Sequence, residues 1–251
     1  MIHRNMSWDD YDNLDAVSHS DLKAFAEGKK GGSKSRRMHL GTLIHTLLLE
    51  GGEKARADFV FEKELPDRRT KIGKEAWENM VRDVGHDRIL TVDEAKKAKR
   101  CCDSLMAHPQ ARKAVESAEQ KSREIVVCNS IDGHDINNKG RIDILHKGCV
   151  IDIKTTGFAN QEKFVNQIVE YGYASQGAYY VDLCQKELGG EYLPFIFLCV
   201  SVREPFQSWI YRLNNEQMAF GRKWYTNVLS LIRRYGVYWA TEVDNKQEST
   251  S

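Results

Sequence analysis

An apolar stretch near the middle of the 251-residue chain contains two aspartates and a lysine. Residues 140–145 are Gly-Arg-Ile-Asp-Ile-Leu, and residues 150–156 are Val-Ile-Asp-Ile-Lys-Thr-Thr. This pattern predicts two β-strands joined by a short turn. Because side chains alternate along a strand, Asp152 and Lys154 are expected to share one face, opposite Ile153. A buried charge without a partner is costly, so the fold has to bring other polar groups to this face.

The chemistry of these charged side chains points to a metal site. Asp143 and Asp152, brought together by the two strands, can hold Mg²⁺, which prefers oxygen ligands. Lys154 beside them can orient or help to deprotonate a metal-bound water, which completes the parts for phosphodiester hydrolysis. A solvent-exposed ion pair is the simpler alternative for Asp-x-Lys taken alone. The acid on the neighbouring strand and the polar helix that follows favour the metal site.

Composition limits the classes of protein to which the chain can belong. It is 41% hydrophobic and 29% charged, which is typical of a globular protein, and its net charge of +1 neither supports nor excludes nucleic acid as a partner. No apolar run approaches the ~20 residues that span a bilayer, and the first residues have no apolar signal region. We therefore expect no membrane association and a cytoplasmic location. Six cysteines without a Cys-x-x-Cys spacing give no indication of structural zinc.

Positive charge is concentrated in two polar segments, residues 28–37 and 68–74. Each could contact phosphate groups, and each is equally compatible with a solvated loop. In the second segment Arg69, Lys71 and Lys74 are the candidate DNA contacts, with Arg68 as a weaker one. The first segment comes close to a phosphate-binding loop but lacks its second glycine and a preceding strand, so we do not expect ATP binding.

Hydrophobic periodicity predicts an α/β fold with a mixed central β-sheet flanked by helices and a helical N-terminal part. A single domain is expected over residues 1–241, with residues 242–251 as a polar tail. Within it, residues 1–118 are mainly helical and carry His45, and residues 119–241 form a β-β-β-α-β-β-α core. The predicted helices are 18–27, 36–50, 73–83, 93–118 with a break at Pro109, 160–187 and about 215–239, and the predicted strands are 122–128, 135–146, 149–155, 193–202 and 208–213.

Two further residues can join the aspartates at a metal site. His45 lies on the 36–50 helix, one turn after Gly41, whose missing side chain lets another segment or a ligand come close. A lone helical histidine is more often a surface or core-edge residue, and that alternative stays open. Glu124 begins the first of the three strands, where it would be an ordinary edge charge or, beside Asp143, part of a metal cage.

The helix after the strands carries Gln176 and Tyr180 four residues apart, with Tyr173 on the same face. In one interpretation this is a polar helix flank with an aromatic packing edge. In the other, the helix lines the site, and Gln176 hydrogen-bonds the metal cluster or the nucleic-acid backbone.

Taken in order, these segments resemble the RecE-type exonucleases of phages and prophages. Those enzymes belong to the PD-(D/E)XK nuclease superfamily, with the RecB nuclease domain and lambda exonuclease. The similarity covers most of the chain and departs from the superfamily pattern in having Asp at position 152, which this subfamily tolerates. Its most specific parts are residues 140–143, 152–156 and 173–180, and the others are Ser18-His19-Ser20-Asp21-Leu22, Leu40-Gly41-Thr42-Leu43-Ile44-His45, Leu47-Leu48-Leu49-Glu50 and residues 69–75.

The resemblance implies a PD-(D/E)XK, restriction-endonuclease-like core and a metal-dependent, ATP-independent nuclease that degrades one strand of linear duplex DNA from its 5′ end. It implies Mg²⁺ or Mn²⁺ held by three side chains and one backbone carbonyl, with Lys154 positioning the attacking water. Glu124, Gln176 and Tyr180 complete the implied catalytic set. The implied metal ligands are His45, Asp143, Asp152 and the Ile153 carbonyl.

The resemblance also implies partners and an assembly. A single-strand annealing protein would work with the enzyme in a bacterial host, encoded by a phage or prophage, and the enzyme would form a ring of three or four subunits. The alternatives are a structure- or site-specific endonuclease of the same fold and a non-catalytic DNA-binding recombination scaffold. The candidate ring interface is the apolar and aromatic C-terminal helix, although packing in the core is at least as favoured for half of its aromatic side chains. These side chains are Trp224, Tyr225, Tyr235, Tyr238 and Trp239.

Overall fold

The structure is a computed structural model that describes residues 1–4, 6–28, 36–85, 88–118, 123–131, 136–146, 148–158, 160–188 and 193–236. Most of the basic segment 28–37, the end of the predicted last helix with Tyr238 and Trp239, and the tail 242–251 lie outside these residues. The strands are β1 (Ile2–His3), β2 (Val17–Ser18), β3 (Val60–Glu62), β4 (Ile89–Thr91), β5 (Arg123–Ser130), β6 (Asn137–His146), β7 (Cys149–Thr156), β8 (Phe195–Ser201) and β9 (Ser208–Arg212). The helices are α1 (Trp8–Asp12), α2 (His19–Glu27), α3 (Arg36–Leu49), α4 (Gly52–Asp58), α5 (Lys71–Val84), α6 (Val92–Ala107), α7 (Pro109–Ser117), α8 (Gln161–Glu170), α9 (Tyr173–Leu188) and α10 (Asn215–Tyr235).

A mixed β-sheet organises the described part of the chain. Its seven strands run in the order β1-β5-β6-β7-β8-β9, with β2 paired to β6, and β3 and β4 form a separate two-stranded sheet. The β5–β6, β6–β7 and β8–β9 pairs are antiparallel, whereas β7–β8 is parallel. Helices cover both faces, so the predicted α/β class with a mixed central sheet is confirmed.

The two faces of the sheet have separate hydrophobic cores. One core packs α8, α9 and α10 against the sheet and includes Phe164, Tyr179 and Val150. The other packs α3 and α6 against the opposite face and includes Ile151 and Ile153. Neighbouring residues of β7 therefore enter different cores, as the alternating sequence predicts.

The N-terminal part is more closely joined to the core than the predicted division at residue 118 implies. Ile2 pairs with Val127, and Val17 pairs with Asn138. Two-residue strands have no recognisable period, so the sequence pattern did not show them. The mainly helical half thus supplies β1 and β2 to the central sheet itself.

One predicted helix is divided. The 160–187 helix consists of α8 and α9, because the chain turns at Tyr171 and Gly172. Gly172 has φ +71°, in the left-handed region that glycine adopts at low cost. The predicted break at Pro109 is confirmed, since that proline is the first residue of α7.

Helix α10 is fixed onto α9 by a polar cluster and a close backbone contact. Asp182 of α9 accepts hydrogen bonds from Arg222 Nε at 2.7 Å and Nη2 at 2.6 Å, and a third from the Tyr225 hydroxyl. A Cβ added at Gly221 would meet the Ala174 backbone carbonyl, so only glycine allows this approach. Tyr225 is fully buried, which favours core packing over an interface for this side chain.

None of the helices in the described part of the chain combines the length and apolar character needed to cross a membrane.

Candidate active site

The candidate site lies where β6 and β7 separate. Their ladder comprises the pairs His146–Cys149, Leu145–Val150 and Ile144–Ile151. Further along, β6 pairs with β2 instead. The backbone N–H of Ile153, past the end of the ladder, donates to Asp143 Oδ2 at 2.7 Å. A carboxylate therefore takes the place of a backbone acceptor at the point of separation, which satisfies the freed donor.

Asp152 is held between a cation and an amide. Its Oδ2 lies 2.7 Å from Lys154 Nζ, and its Oδ1 accepts from Gln176 Nε2 at 3.1 Å. The Lys154 ammonium also lies 5.1 Å from the Tyr173 ring centre and 5.9 Å from that of Phe197. The aspartate and lysine side chains are 7% and 18% exposed, so the pair is largely desolvated. This arrangement fixes the lysine rather than leaving it mobile.

Helix α3 brings His45 to the same place. A Cβ added at Gly41 would lie 3.1 Å from Thr155 Oγ1, so the glycine lets the helix approach β7 closely. One turn later, His45 Nε2 lies 2.9 Å from the Ile153 carbonyl oxygen, and Nδ1 lies 3.5 Å from Asp143 Oδ2. Sequence periodicity predicted the helix but gave no indication of which strand the histidine contacts.

Helix α9 lines the site with Gln176 and Tyr180. Gln176 Nε2 donates to Asp152, and Tyr180 lies one turn further along the same helix face. The Tyr180 ring packs on Gly140, where an added Cβ would lie 3.1 Å from Tyr180 Cε1. Gly140 therefore makes room for the Tyr180 ring beside the glutamine that holds Asp152.

Glu124 lies opposite Asp143, since the flanking pairs of the β5–β6 ladder are Arg123–Ile144 and Ile125–Ile142. Its φ of +45° is unusual for a residue other than glycine. Burial, the nearby carboxylate of Glu50 and, more weakly, Asp143 raise the pKa of Glu124 to about 7. Glu50 was missed as a site residue by sequence reasoning, because it follows the last turn of α3 and looks like an ordinary helix-end charge.

Phe197, which helps to enclose Lys154, was also missed. It faces Asp152 in the parallel β7–β8 register. The alternation of Phe195 and Phe197 in β8 could have indicated which face it occupies, but not the register that sets its neighbour.

The pKa values of the charged side chains in the site are shifted, and those of the two carboxyls move in opposite directions. Burial lowers the pKa of His45, but the carboxylate of Asp143 outweighs this and raises it to about 9. Burial would raise the pKa of Asp143, yet the facing His45 brings it below the ordinary value. Burial, with the second carboxylate nearby, raises the pKa of Asp152 despite Lys154. Asp152 in turn outweighs burial and raises the pKa of Lys154, which keeps the ammonium charged. Opposite shifts of two neighbouring carboxyls are expected where like charges share a site.

The donor atoms fit a hard divalent cation in kind, although they are only partly assembled. In the described residues, no group of three or more His, Cys, Asp or Glu side chains is arranged to hold a metal ion. His45 Nε2 lies 2.9 Å from the Ile153 oxygen, a hydrogen-bond distance, so to ligate an ion together with that oxygen the imidazole would first have to release its proton. Asp152 would have to exchange its contact with Lys154 to join them. A cation would also relieve the mutual repulsion of Asp143 and Asp152.

The predicted DNA-binding segment forms the start of α5. Thr70 caps the helix by accepting from the Gly73 N–H at 3.0 Å. Arg69 is not freely available, because its Nε and Nη2 each donate to Asp67 at 2.9 Å. Lys71 and Lys74 are exposed. Sequence reasoning did not anticipate the Asp67–Arg69 pair, and a phosphate would have to displace this aspartate.

The sheet order, the enclosing helices and the Asp and Asp-x-Lys residues at the separation of two strands define a PDDEXK-like fold. The family model described as a PDDEXK-like domain of unknown function (DUF3799) matches residues 10–245, and the chain belongs to that family. This membership and fold support assignment of the chain as a nuclease. Nucleases of this type typically use divalent metal ions.

One solved structure supports the fold. A candidate exonuclease from Eubacterium rectale superposes with a TM-score of 0.63 and 13% identity, over 93% of this chain and 88% of that one. At this identity the likeness shows the fold alone. A second structure, named SSO0001, is 18% identical over 80% of this chain and 92% of its own, but its TM-score of 0.32 is too low to support a shared fold. No curated protein matches the chain.

Proposed function

We propose that the protein is a RecE-type, Mg²⁺- or Mn²⁺-dependent, ATP-independent 5′→3′ exonuclease on linear double-stranded DNA. Its product would be duplex DNA with 3′ single-stranded overhangs, the substrate for recombination by strand annealing. The observation that carries the proposal is the meeting of Asp143, Asp152, Lys154 and His45 where β6 and β7 separate. Carboxylates that can hold a divalent ion, with a fixed ammonium beside them, are suited to metal-assisted phosphodiester hydrolysis.

The site residues have distinct roles in this proposal. His45, Asp143, Asp152 and the Ile153 carbonyl would hold the divalent ion, which supplies Lewis acidity and neutralises phosphate charge when bound. Lys154 is held beside Asp152 in the metal-free site, and it would orient the attacking water once that carboxylate turns to the ion. Gln176 would keep Asp152 in position, and the aromatic rings around Lys154 would limit access of bulk water.

Arg69, Lys71 and Lys74 are proposed to contact the DNA backbone. Each phosphate contact that forms releases about one condensed counterion, so alanine substitutions should weaken binding and flatten its salt dependence. Arg69 should contribute least, because it first has to leave Asp67. An unchanged salt slope in the triple variant would show that this segment is a solvated loop.

The assembly and setting follow the same proposal. A ring-shaped trimer or tetramer would hold DNA topologically, since a net charge of +1 gives a monomer little electrostatic attraction to DNA. The enzyme would be encoded by a phage or prophage and would act in the cytoplasm of the bacterial host. Its partner there would be a single-strand annealing protein. Light scattering at micromolar concentration should give a trimer or tetramer mass. A monomer that still degrades DNA processively would exclude the ring as the source of processivity.

The activity can be tested on three DNA substrates, with Mg²⁺ and without ATP. Linear duplex labelled at the 5′ end should release its label early, and duplex labelled at the 3′ end should release it late. A closed circular plasmid should stay intact. Linearisation of the plasmid would instead support the structure- or site-specific endonuclease, and intact DNA in all three reactions would support the non-catalytic scaffold.

A further inference from the structure

An exposed aromatic ring lies beside the residues around Lys154. Tyr171, in the turn between α8 and α9, is 41% exposed. Its ring centre is 5.9 Å from that of Tyr173, and the Tyr173 ring centre is 5.1 Å from Lys154 Nζ. Two contacts therefore join the open ring to the proposed water-positioning lysine. None of the roles assigned above uses Tyr171.

The turn that carries Tyr171 is held firmly by backbone hydrogen bonds. The N–H of Tyr171 donates to the Gln167 carbonyl at 2.8 Å, and the N–H of Gly172 donates to the Val169 carbonyl at 3.1 Å. Lys23 Nζ of α2 donates to the Tyr171 carbonyl at 3.3 Å. An exposed aromatic ring on a fixed turn loses little conformational freedom when it binds a ligand.

A buried clamp also secures this turn, and it explains part of the Ser18-His19-Ser20-Asp21-Leu22 motif. Ser175 Oγ donates to the Gly172 carbonyl at 2.8 Å, and His19 Nε2 lies 2.8 Å from the same Oγ. Because the hydroxyl proton is used toward Gly172, His19 has to donate from Nε2. Burial, assisted by Lys154 and Lys23, lowers the pKa of His19 to about 3, so the imidazole is neutral. The Ser18–Asp21 capping box fixes the start of α2, and with it His19.

We propose that Tyr171 is a stacking platform for a nucleobase of the strand being cut, and that His19 and Ser175 are positioning residues for it. This inference rests on the proposed function and names how that site holds one strand. Nucleobases stack on exposed aromatic rings without regard to sequence, and the face of Tyr173 is already occupied by Lys154. The successive contacts of 5.9 and 5.1 Å put the Tyr171 ring within the length of about three stacked bases of Lys154, since bases in a stacked strand repeat every ~3.4 Å.

The test measures binding of fluorescein-labelled single-stranded oligonucleotides by anisotropy, without metal ions so that no strand is cut. The protein variants are Tyr171→Ala, Tyr171→Phe and, as the matched control, Val169→Ala. Val169 is 59% exposed at the same end of α8 and has no ring. One oligonucleotide is intact, and the others carry a single abasic site moved along the strand position by position.

Tyr171→Ala should bind the intact strand about tenfold more weakly, whereas Tyr171→Phe and Val169→Ala should bind like the wild type. At one abasic position the wild type should lose the same factor, and there Tyr171→Ala should have no further effect. Equal affinity of Tyr171→Ala and the wild type for the intact strand would overturn the platform. So would an equal loss with every abasic strand, which would mean that the ring contacts no particular base.

Ser175→Ala tests the clamp. It should lower affinity for the intact strand by a smaller factor than Tyr171→Ala, and this effect should vanish at the same abasic position. A loss that persists at that position would show that Ser175 acts only on general stability. These measurements need no cleavage, so failure of the stacking proposal and failure of the proposed nuclease activity give separate results.

Discussion

Two carboxylate clusters involve helix α9 or lie beside it, and they differ in how their carboxyl groups are held. Asp182 receives two hydrogen bonds from Arg222 and one from Tyr225, so one acid meets one guanidinium and one hydroxyl. At the other cluster, Asp143 and Asp152 share one lysine and one histidine, and the pKa values of the two carboxyls shift in opposite directions. The first cluster is built on one bidentate pair, whereas the second places two carboxyls so close together that one of them holds its proton more tightly.

This difference separates residues that hold the fold together from residues that act on a substrate. A bidentate Arg–carboxylate pair has directional hydrogen bonds and leaves no charge to satisfy. Two desolvated carboxyls that share a site cost stability even with cations beside them, and such a cost persists where function requires it. Substitutions of the site acids should therefore lower activity. Substitutions in the Asp182 cluster should lower stability and leave activity unchanged.

The largest effect is expected from the site acids. Asp143→Ala or Asp152→Ala should lower cleavage at least ~1,000-fold, because each removes a proposed metal ligand. Both variants should fold but melt at a lower temperature, because Asp143→Ala leaves the Ile153 N–H without its acceptor and Asp152→Ala leaves Lys154 without its carboxylate. Initial rates on labelled linear duplex, together with melting temperatures, test both statements. Near-normal cleavage by either variant would remove the acids from the mechanism.

Lys154→Ala should lower cleavage about 100-fold or more while metal and DNA binding persist, because its role lies in the chemical step. Single-turnover rates report the chemistry, and calorimetry with Mn²⁺ reports the metal. Loss of Mn²⁺ binding would instead make Lys154 a structural support for Asp152.

The stability of the metal-free protein should depend on the protonation of Glu124. Its pKa is raised from the ordinary value of 4.5 to about 7 in the folded state, so the folded protein keeps a proton that the unfolded chain releases. The free energy of unfolding should thus fall by roughly 3 kcal/mol as the pH rises from about 4.5 to about 7. Urea unfolding at several pH values should show this slope in the wild type and lose it in Glu124→Gln. Equal slopes would mean that Glu124 titrates as an exposed acid.

The smallest effect is expected in the cluster of Asp182, Arg222 and Tyr225. Asp182→Ala should lower the free energy of unfolding by about 2 kcal/mol, since it breaks charge-assisted hydrogen bonds to a half-exposed arginine. The cleavage rate per folded molecule should stay unchanged, and a double-mutant cycle with Arg222→Ala should show coupling. A fall in activity without a fall in stability would link this cluster to the site and end the contrast between the two.

Much of the fold was predictable because long amphipathic segments carry a clear period. Helix α3 and strands β6, β7 and β8 follow from such patterns, as does the shared face of Asp152 and Lys154. The prediction of one continuous helix over residues 160–187 was wrong, because an isolated glycine such as Gly172 is also compatible with an unbroken helix.

The site was predictable in its residue types but not in its contacts. Nothing local in the sequence shows that His45 meets the Ile153 carbonyl, or that Asp143 accepts from the Ile153 N–H. These contacts depend on how far β6 and β7 stay paired, which is a property of the assembled sheet. The left-handed φ of Glu124 has the same origin, since no sequence rule places a glutamate there.

The pairing of β2 with β6 also has a consequence for the order of events during synthesis. Val17 leaves the ribosome long before Asn138, its partner in the sheet. At 5–20 residues per second, the segment that carries β2 waits on the order of ten seconds for the strand that it joins. Contacts so distant in sequence also close slowly, because the intervening chain must first lose conformational entropy. β2 can therefore join the sheet only after β6 has been made, and a nascent chain should remain inactive at least until that docking.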